Sequence, residues 1–404
     1  MTYFRFSAVI VCLLLILPVQ AQEPIKVGLI VPLSGPWARQ GQVMRAAAEL
    51  AVDQINAGGG IQAHGGRPME LMVFDTGDSV ERAKNAAQRM VAEEPDLVGA
   101  TGSYLSSFTL AVTEVTERAQ IPLLTLSYSD QITSRGYDYV FQTSATGAYQ
   151  SENALPLLLD MAEQASGTRP ETIGIVMDNT AASVAFVSPI VDGNALAENN
   201  LELVVNEVFT PPLANATSLI QRVRSRRPDL LLLLPTAISD SKLLLEKMNE
   251  FGLGRGRIPT ISNGAAMGSP DLAANMPPAL LEGVMSIVAN WSTQGQEQMI
   301  ADYMAFSGEP WMTQNPLCAF GHIWLLKGAL ELADSVDSVS VNNALHTMDI
   351  SSGAADYFAG GRVRFDETGK RIDAGILVIQ WQNGKPVTVY PDSAAMGQLI
   401  WPKG

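Results

Sequence analysis

Short apolar runs, each too brief for a helix and each followed by a helical stretch, recur along nearly the whole chain, and the rhythm is repeated twice. In the first pass the strands read at 25–31 (IKVGLIV), 69–74, 97–100, 122–126 and 139–142, with helices at 41–55, 79–93 and 108–119. The second pass has strands at 172–177, 203–209, 230–234 (LLLLL) and 258–262, with helices at 155–164, 181–199, 217–226 and 238–251. A strand at 283–289, a helical region at 296–348 and a β-rich tail at 363–389 follow. Continuous apolar strands separated by single helices need right-handed crossovers and a parallel sheet buried on both faces. The chain therefore reads as α/β, with two Rossmann-like doubly wound lobes. Its 404 residues suit two domains at roughly 100–200 residues each. No low-complexity tether separates the lobes, since 166–172 is only a polar loop, so structured crossovers are expected to join them.

The first 21 residues read as an export leader. Arg5 supplies the positive start, residues 8–17 an apolar core, and Pro18 a helix break before the cleavage pattern Val19-Gln20-Ala21. That core is shorter than the roughly 20 residues a membrane-spanning helix requires. Cys12 follows bulky Val11 inside the run, which argues against a lipoprotein cysteine. Cleavage after Ala21 removes Arg5 and no acid, leaving a net charge of −16 and Cys318 as the only thiol, hence no internal disulfide. The mature chain is expected to be periplasmic and monomeric.

The acidic balance excludes nucleic acid, whose phosphates demand a Lys/Arg surplus. Catalytic constellations are also missing. There is no G-x-S-x-G elbow and no G-x-x-x-x-G-K-[ST] loop. His64, His322 and His346 lack metal-ligand spacing, and Cys318 has no neighbouring base in sequence. Gly58 to Gly60 and Gly252 to Gly256 both end helices rather than cradle phosphate. No cofactor, metal or catalytic residue is expected.

Doubly wound sheets bind ligands outside the carboxyl ends of their strands, and here those ends are rich in hydroxyls and aromatics. Trp37 follows the first strand, and Tyr104, Ser106 and Ser107 follow the third and open a helix. Ser127, Tyr128 and Ser129 follow the fourth; in the second lobe the corresponding ends carry Asp178, Thr236 and Asn263. Hydroxyls beside free N–H groups at a helix N-terminus suit a small carboxylate. Trp37, Tyr104 and Tyr128 are placed to wall an apolar body. Ser and Thr also cap helices everywhere, so the matching of hydroxyls at the ends of both lobes weighs more than any one of them.

These segments resemble the type I periplasmic solute-binding proteins of ABC transporters, and more narrowly their leucine/isoleucine/valine-binding branch. The resemblance is carried by Ile25-Lys26-Val27-Gly28, by Pro32-Leu33-Ser34-Gly35-Pro36, and by residues 51–59 (AVDQINAGG) with Ile61. It continues in 122–141 with Arg135-Gly136-Tyr137, the helix at 319–334, 361–369 (GRVRFDETG) and 381–387. It implies two lobes joined by three crossover strands, near residues 142–145, 284–290 and 361–365, that close on ligand like a hinge. Lobe 1 would hold 22–143 and 288–355, and lobe 2 would hold 144–287 and 356–404. The resemblance places the grip on an α-carboxylate and α-ammonium at Ser106, Ser107, Ser127 and Ser129, with Trp37 near the ligand side chain. An inner-membrane ABC permease is the implied partner.

One departure bears on the ligand. Where family members specific for amino acids offer an acid to the ammonium group, this chain has Ser262-Asn263-Gly264. An amide does not neutralise a buried cation; Asp178 is the candidate substitute. The ligand expected is thus a branched-chain or other apolar amino acid, or a related small carboxylate. The alternatives are a ligand sensor of the same fold that docks on a signalling receptor, and a hydrolase with an unrecognised site.

Overall fold

The computed structural model describes residues 22–401, so the expected leader lies outside the described residues. The first lobe is built from β1 (Ile25–Val31), α1 (Ala38–Ala57), β2 (Met69–Asp75), α2 (Val80–Glu93), β3 (Ala100–Gly102), α3 (Ser106–Arg118), β4 (Leu123–Thr125) and β5 (Val140–Gln142). Its sheet runs β2-β1-β3-β4-β5, parallel throughout. The chain then crosses into α4 (Gly147–Ser166), β6 (Thr172–Asp178), α5 (Ala181–Val191), α6 (Ala195–Glu198), β7 (Glu202–Phe209), α7 (Thr217–Arg226), β8 (Leu230–Leu234), α8 (Ile238–Glu250), β9 (Thr260–Asn263), α9 (Pro270–Asn275), α10 (Pro278–Leu281) and β10 (Met285–Val288). These strands repeat the first lobe's order as β7-β6-β8-β9-β10. The expected twin doubly wound lobes are both present.

After β10 the chain returns to the first lobe as α11 (Glu297–Ser307), α12 (Gln314–Leu332) and α13 (Ser338–Thr347), so the helical region at 296–348 is three helices. Gly308, in the left-handed region at φ 75°, ends the first of them. A two-stranded piece, β11 (Asp349–Ile350) and β12 (Val363–Arg364), follows. The hairpin β13 (Leu377–Gln382) and β14 (Lys385–Tyr390) then joins the second sheet antiparallel to β10. Val363 and Phe365 still pack in the first-lobe core, and Lys370 bridges to Gln142 on β5. The passage into the second sheet therefore comes between Arg371 and Leu377, later than the crossing expected at 361–365. The charged pattern of GRVRFDETG conceals how deeply its two apolar residues are buried.

Helix α12 explains much of the first-lobe core. Its residues 314–323 are buried without a break, while Lys327 and Glu331 pair on the outer side of its last turns, and it packs beside α1 against the sheet. Its His322 is fully buried, with Nδ1 2.7 Å from the Thr101 hydroxyl and Nε2 2.7 Å from that of Thr143. Burial pushes this imidazole down from 6.5 to about 3. Between those values the unfolded chain takes up a proton that the folded ring refuses, so stability present above pH 6.5 is lost as the pH falls toward 3. From pH 7 to pH 5 the loss from this one ring is about 2 kcal/mol. A His322→Gln variant should accordingly lose less stability than the parent over that interval in urea titrations. Equal losses in the two proteins would show that another group titrates.

Candidate ligand site between the lobes

Strand order reverses between β1 and β3 in one sheet and between β6 and β8 in the other, and the loops leaving these strands face each other across a cleft. Gly102 ends β3 at φ 112°; a Cβ there would run into the carbonyl of Ile30, so only glycine lets β3 turn toward the cleft beside β1. The cleft encloses about 500 Å³, part of it open to solvent.

Its walls come mainly from the starts of helices. Gln40 lies in the first turn of α1, Leu105 is the residue before α3, and Gln314 and Asn315 open α12. From the second lobe come Ala182 and Ser183 in the first turn of α5 and Thr236 just before α8. The N–H groups of Ser106 and Ser107, in the first turn of α3, have no backbone acceptor among the described residues. Each helix start carries a partial positive charge. Among the described residues, no charged side chain lines the cleft. The arrangement thus offers positive potential and neutral amide and hydroxyl donors, with apolar wall from Tyr104, Leu105, Leu126 and Tyr128.

Of the residues read from the sequence, Tyr104, Tyr128, Thr236 and Asn263 line this cleft. Ser107 stands at its rim, where its hydroxyl accepts from the N–H of Ala181 3.2 Å away on the opposite lobe. Ser106 and Ser127 lie beneath the surface. The Ser106 hydroxyl accepts from the N–H groups of Tyr128 and Ser129 at 3.0 and 3.1 Å, fixing the loop after β4. The Ser127 hydroxyl donates toward the carbonyls of Ser103 and Tyr104, each at 2.9 Å. Ser129 caps the turn that follows it, accepting from the N–H of Gln131. Trp37 stacks edge-on with Phe108, centroids 5.6 Å apart, in an apolar cluster that includes Ala237 of the second lobe. It therefore sits in a contact between the lobes rather than on the cleft wall.

Asp178 also lies below the cleft, fully buried. One carboxylate oxygen accepts from the Thr180 N–H and hydroxyl (3.1 and 2.7 Å) and from the Ser183 hydroxyl (2.8 Å). The other accepts from the Thr236 N–H and hydroxyl, both at 2.7 Å. Both oxygens are occupied, so Asp178 pins the loops after β6 and β8 together instead of presenting a charge to a ligand. Asn263 gives its Nδ2 to Gln150 Oε1 (2.8 Å) and the Ile287 carbonyl (3.2 Å), leaving Oδ1 as its remaining acceptor.

Sequence reasoning missed Gln40, Ser183, Gln314 and Asn315. For the last two a signal existed: Thr313 followed by Pro316 marks a helix start inside the long helical region. An ion pair also spans the lobes near the cleft. Arg39 of α1 donates through Nε to Asp271 of α9 and through Nη2 to Glu309, each at 2.8 Å. With the Ser107–Ala181 bond, these contacts join the two lobes.

A profile described as periplasmic binding protein matches residues 24–386. Leu/Ile/Val-binding protein homolog 8 of Brucella melitensis is 27% identical over 397 residues, covering 95% of this chain and 94% of that protein. Among solved structures, the branched-chain amino acid substrate-binding protein LivJ of Streptococcus pneumoniae, in complex with isoleucine, superposes with a TM-score of 0.74 at 18% identity over 91% of this chain and 100% of that one. A solute-binding protein of an ABC transporter from Rhodopseudomonas palustris, in complex with 3,4-dihydroxybenzoic acid, gives 0.74 at 21% identity over 90% and 95%. Twin lobes with the same strand order and a profile match across most of their length place this chain in the family of type I periplasmic binding proteins.

Proposed function

We propose that this chain is an exported solute receptor that delivers its ligand to an ABC permease in the inner membrane. Its ligand is a small carboxylate with an uncharged aliphatic or aromatic body, and the lobes close on it like a hinge. One observation carries the choice of ligand: several helix starts converge on a cleft that no charged side chain among the described residues lines. A carboxylate gains from those helix ends and from the free N–H groups of α3. An α-ammonium loses its hydration there and meets no counter-charge, because Asn263 offers only an amide oxygen and both oxygens of Asp178 are occupied. Structures of this fold hold isoleucine in one case and 3,4-dihydroxybenzoic acid in another, so the backbone accepts either class and side chains decide between them. Because the ligand touches both lobes only when they are closed, it shifts the equilibrium toward the form a permease recognises.

Matched pairs test this reading: leucine against 4-methylpentanoate, and phenylalanine against 3-phenylpropanoate. In thermal denaturation the acid of a pair should stabilise the mature chain, by about 2.7 kcal/mol at a hundredfold excess over Kd. Its amino-acid partner should bind about tenfold or more weakly, the cost of an unpaired buried charge. Tighter binding of the amino acid in each pair would reject the ligand class. No stabilisation by any member at millimolar concentration would reject the receptor reading itself.

A further inference from the structure

Gln314 both lines the cleft and is bonded to the second crossing between the lobes. It is the first residue of α12 and only 2% exposed. Its Oε1 accepts from the Tyr128 hydroxyl at 2.6 Å, the Ala289 N–H at 2.8 Å and the Asn290 N–H at 3.3 Å. Two of these donors are backbone N–H groups, so the accepting atom is the oxygen and the amide has one possible orientation. The phenol of Tyr128, held neutral by burial, gives its only proton to the same oxygen. Nε2 has no protein partner among the described residues, and this side chain forms part of the cleft wall.

We propose that Gln314 is the specificity-determining donor that ties ligand capture to hinge position. This rests on the reading of the cleft as a carboxylate site. Nε2 donates to an acceptor oxygen of the ligand, while Oε1 is held by the segment Ala289–Asn290, which links β10 to α11 and must turn when the lobes part. Turning that segment withdraws two of the three donors and frees the amide to rotate. The ligand-facing donor is therefore aimed only in the closed form.

Gln314→Glu separates the two roles. A carboxylate retains the acceptor for Tyr128, Ala289 and Asn290, so the unliganded melting temperature should stay close to that of the parent. It replaces the ligand-facing donor with a second, negatively charged acceptor. Affinity for 4-methylpentanoate should fall about tenfold to a hundredfold, the range for one hydrogen bond to a charged group. Affinity for leucine should rise, because its ammonium now meets a counter-charge, and a purely structural role would not move this selectivity. Gln314→Leu, which loses both functions, should lower the melting temperature as well as the affinity. Binding of 4-methylpentanoate by Gln314→Glu within twofold of the parent would overturn the proposal and leave the carboxylate site standing. Failure of the parent to bind either probe would overturn both.

Discussion

Asp178→Ala should destabilise the second lobe by about 3–5 kcal/mol and abolish tight ligand capture, without removing any group that faces the cleft. The carboxylate receives five hydrogen bonds, two from backbone N–H groups and three from hydroxyls, all from the loops after β6 and β8 and the start of α5. Hydrogen bonds to a charged acceptor contribute about 1.5–3 kcal/mol each, and every buried donor left unpaired costs about 1–3 kcal/mol. Local rearrangement offsets part of that sum. Thr236 and Ser183, which with Asn263 make up the second lobe's polar side chains on the cleft wall, are positioned by this carboxylate. Asp178→Asn keeps the shape but turns a donor toward one set of donors, so it should lie between the parent and Asp178→Ala in urea titrations. Isothermal titration with 4-methylpentanoate checks the second half of the expectation. An Asp178→Ala protein of parental stability would show that the two loops hold their places without the carboxylate.

A second large effect is expected at the hinge. Arg371 is 3% exposed, yet it has no acidic partner in hydrogen-bond reach among the described residues. Its guanidinium donates instead to three main-chain carbonyls. These are Arg362 (2.8 Å from Nε), Ala359 (2.7 Å from Nη2) and Thr143 (3.3 Å from Nη1). Its own N–H bonds the carbonyl of Gln142 at 2.9 Å. It thus fastens the first crossing to the chain that leads into the third. Burial without a carboxylate pushes the group down to about 10, so it stays charged at neutral pH. Asn290 completes the clamp from the second crossing, donating to the Tyr357 carbonyl at 2.7 Å and accepting from the Ala359 N–H at 3.2 Å.

Arg371→Met leaves three main-chain carbonyls, two of them buried, without this donor and should cost about 3 kcal/mol, after allowing for relief of the buried charge. Arg371→Lys should not restore the loss, because a single ammonium does not present the planar fork that spans carbonyls on separate segments. A fully rescued lysine variant would show that charge alone, not the fork, holds the crossings together.

The parts of the fold legible in the sequence were those fixed by local patterning. Residues 230–234 form a strand and 217–226 a helix with the bounds their hydropathy gives. Where neighbours decide, the pattern misleads. Residues 97–100 read as a strand, but pairing of Gly28 with Ala100 moves the paired segment to Ala100–Gly102. Helix α4 begins at Gly147, eight residues before its apolar run, because Thr146 caps it through the Tyr149 N–H and its polar first turns are covered by α5. At the site, the hydroxyls of Ser106 and Ser127 looked available because sequence cannot show that each is consumed by the loop the other belongs to.

The order of apolar runs and helical stretches by itself determined two α/β lobes, because burial of a strand or a helix stripe depends on spacing within a few residues. The tertiary structure alone decided which polar groups face the cleft. A hydroxyl or amide is free or occupied according to partners brought from distant parts of the chain, as with Gln314, Tyr128 and Ala289. Hydrogen bonds reach about 3 Å and take no account of distance along the sequence.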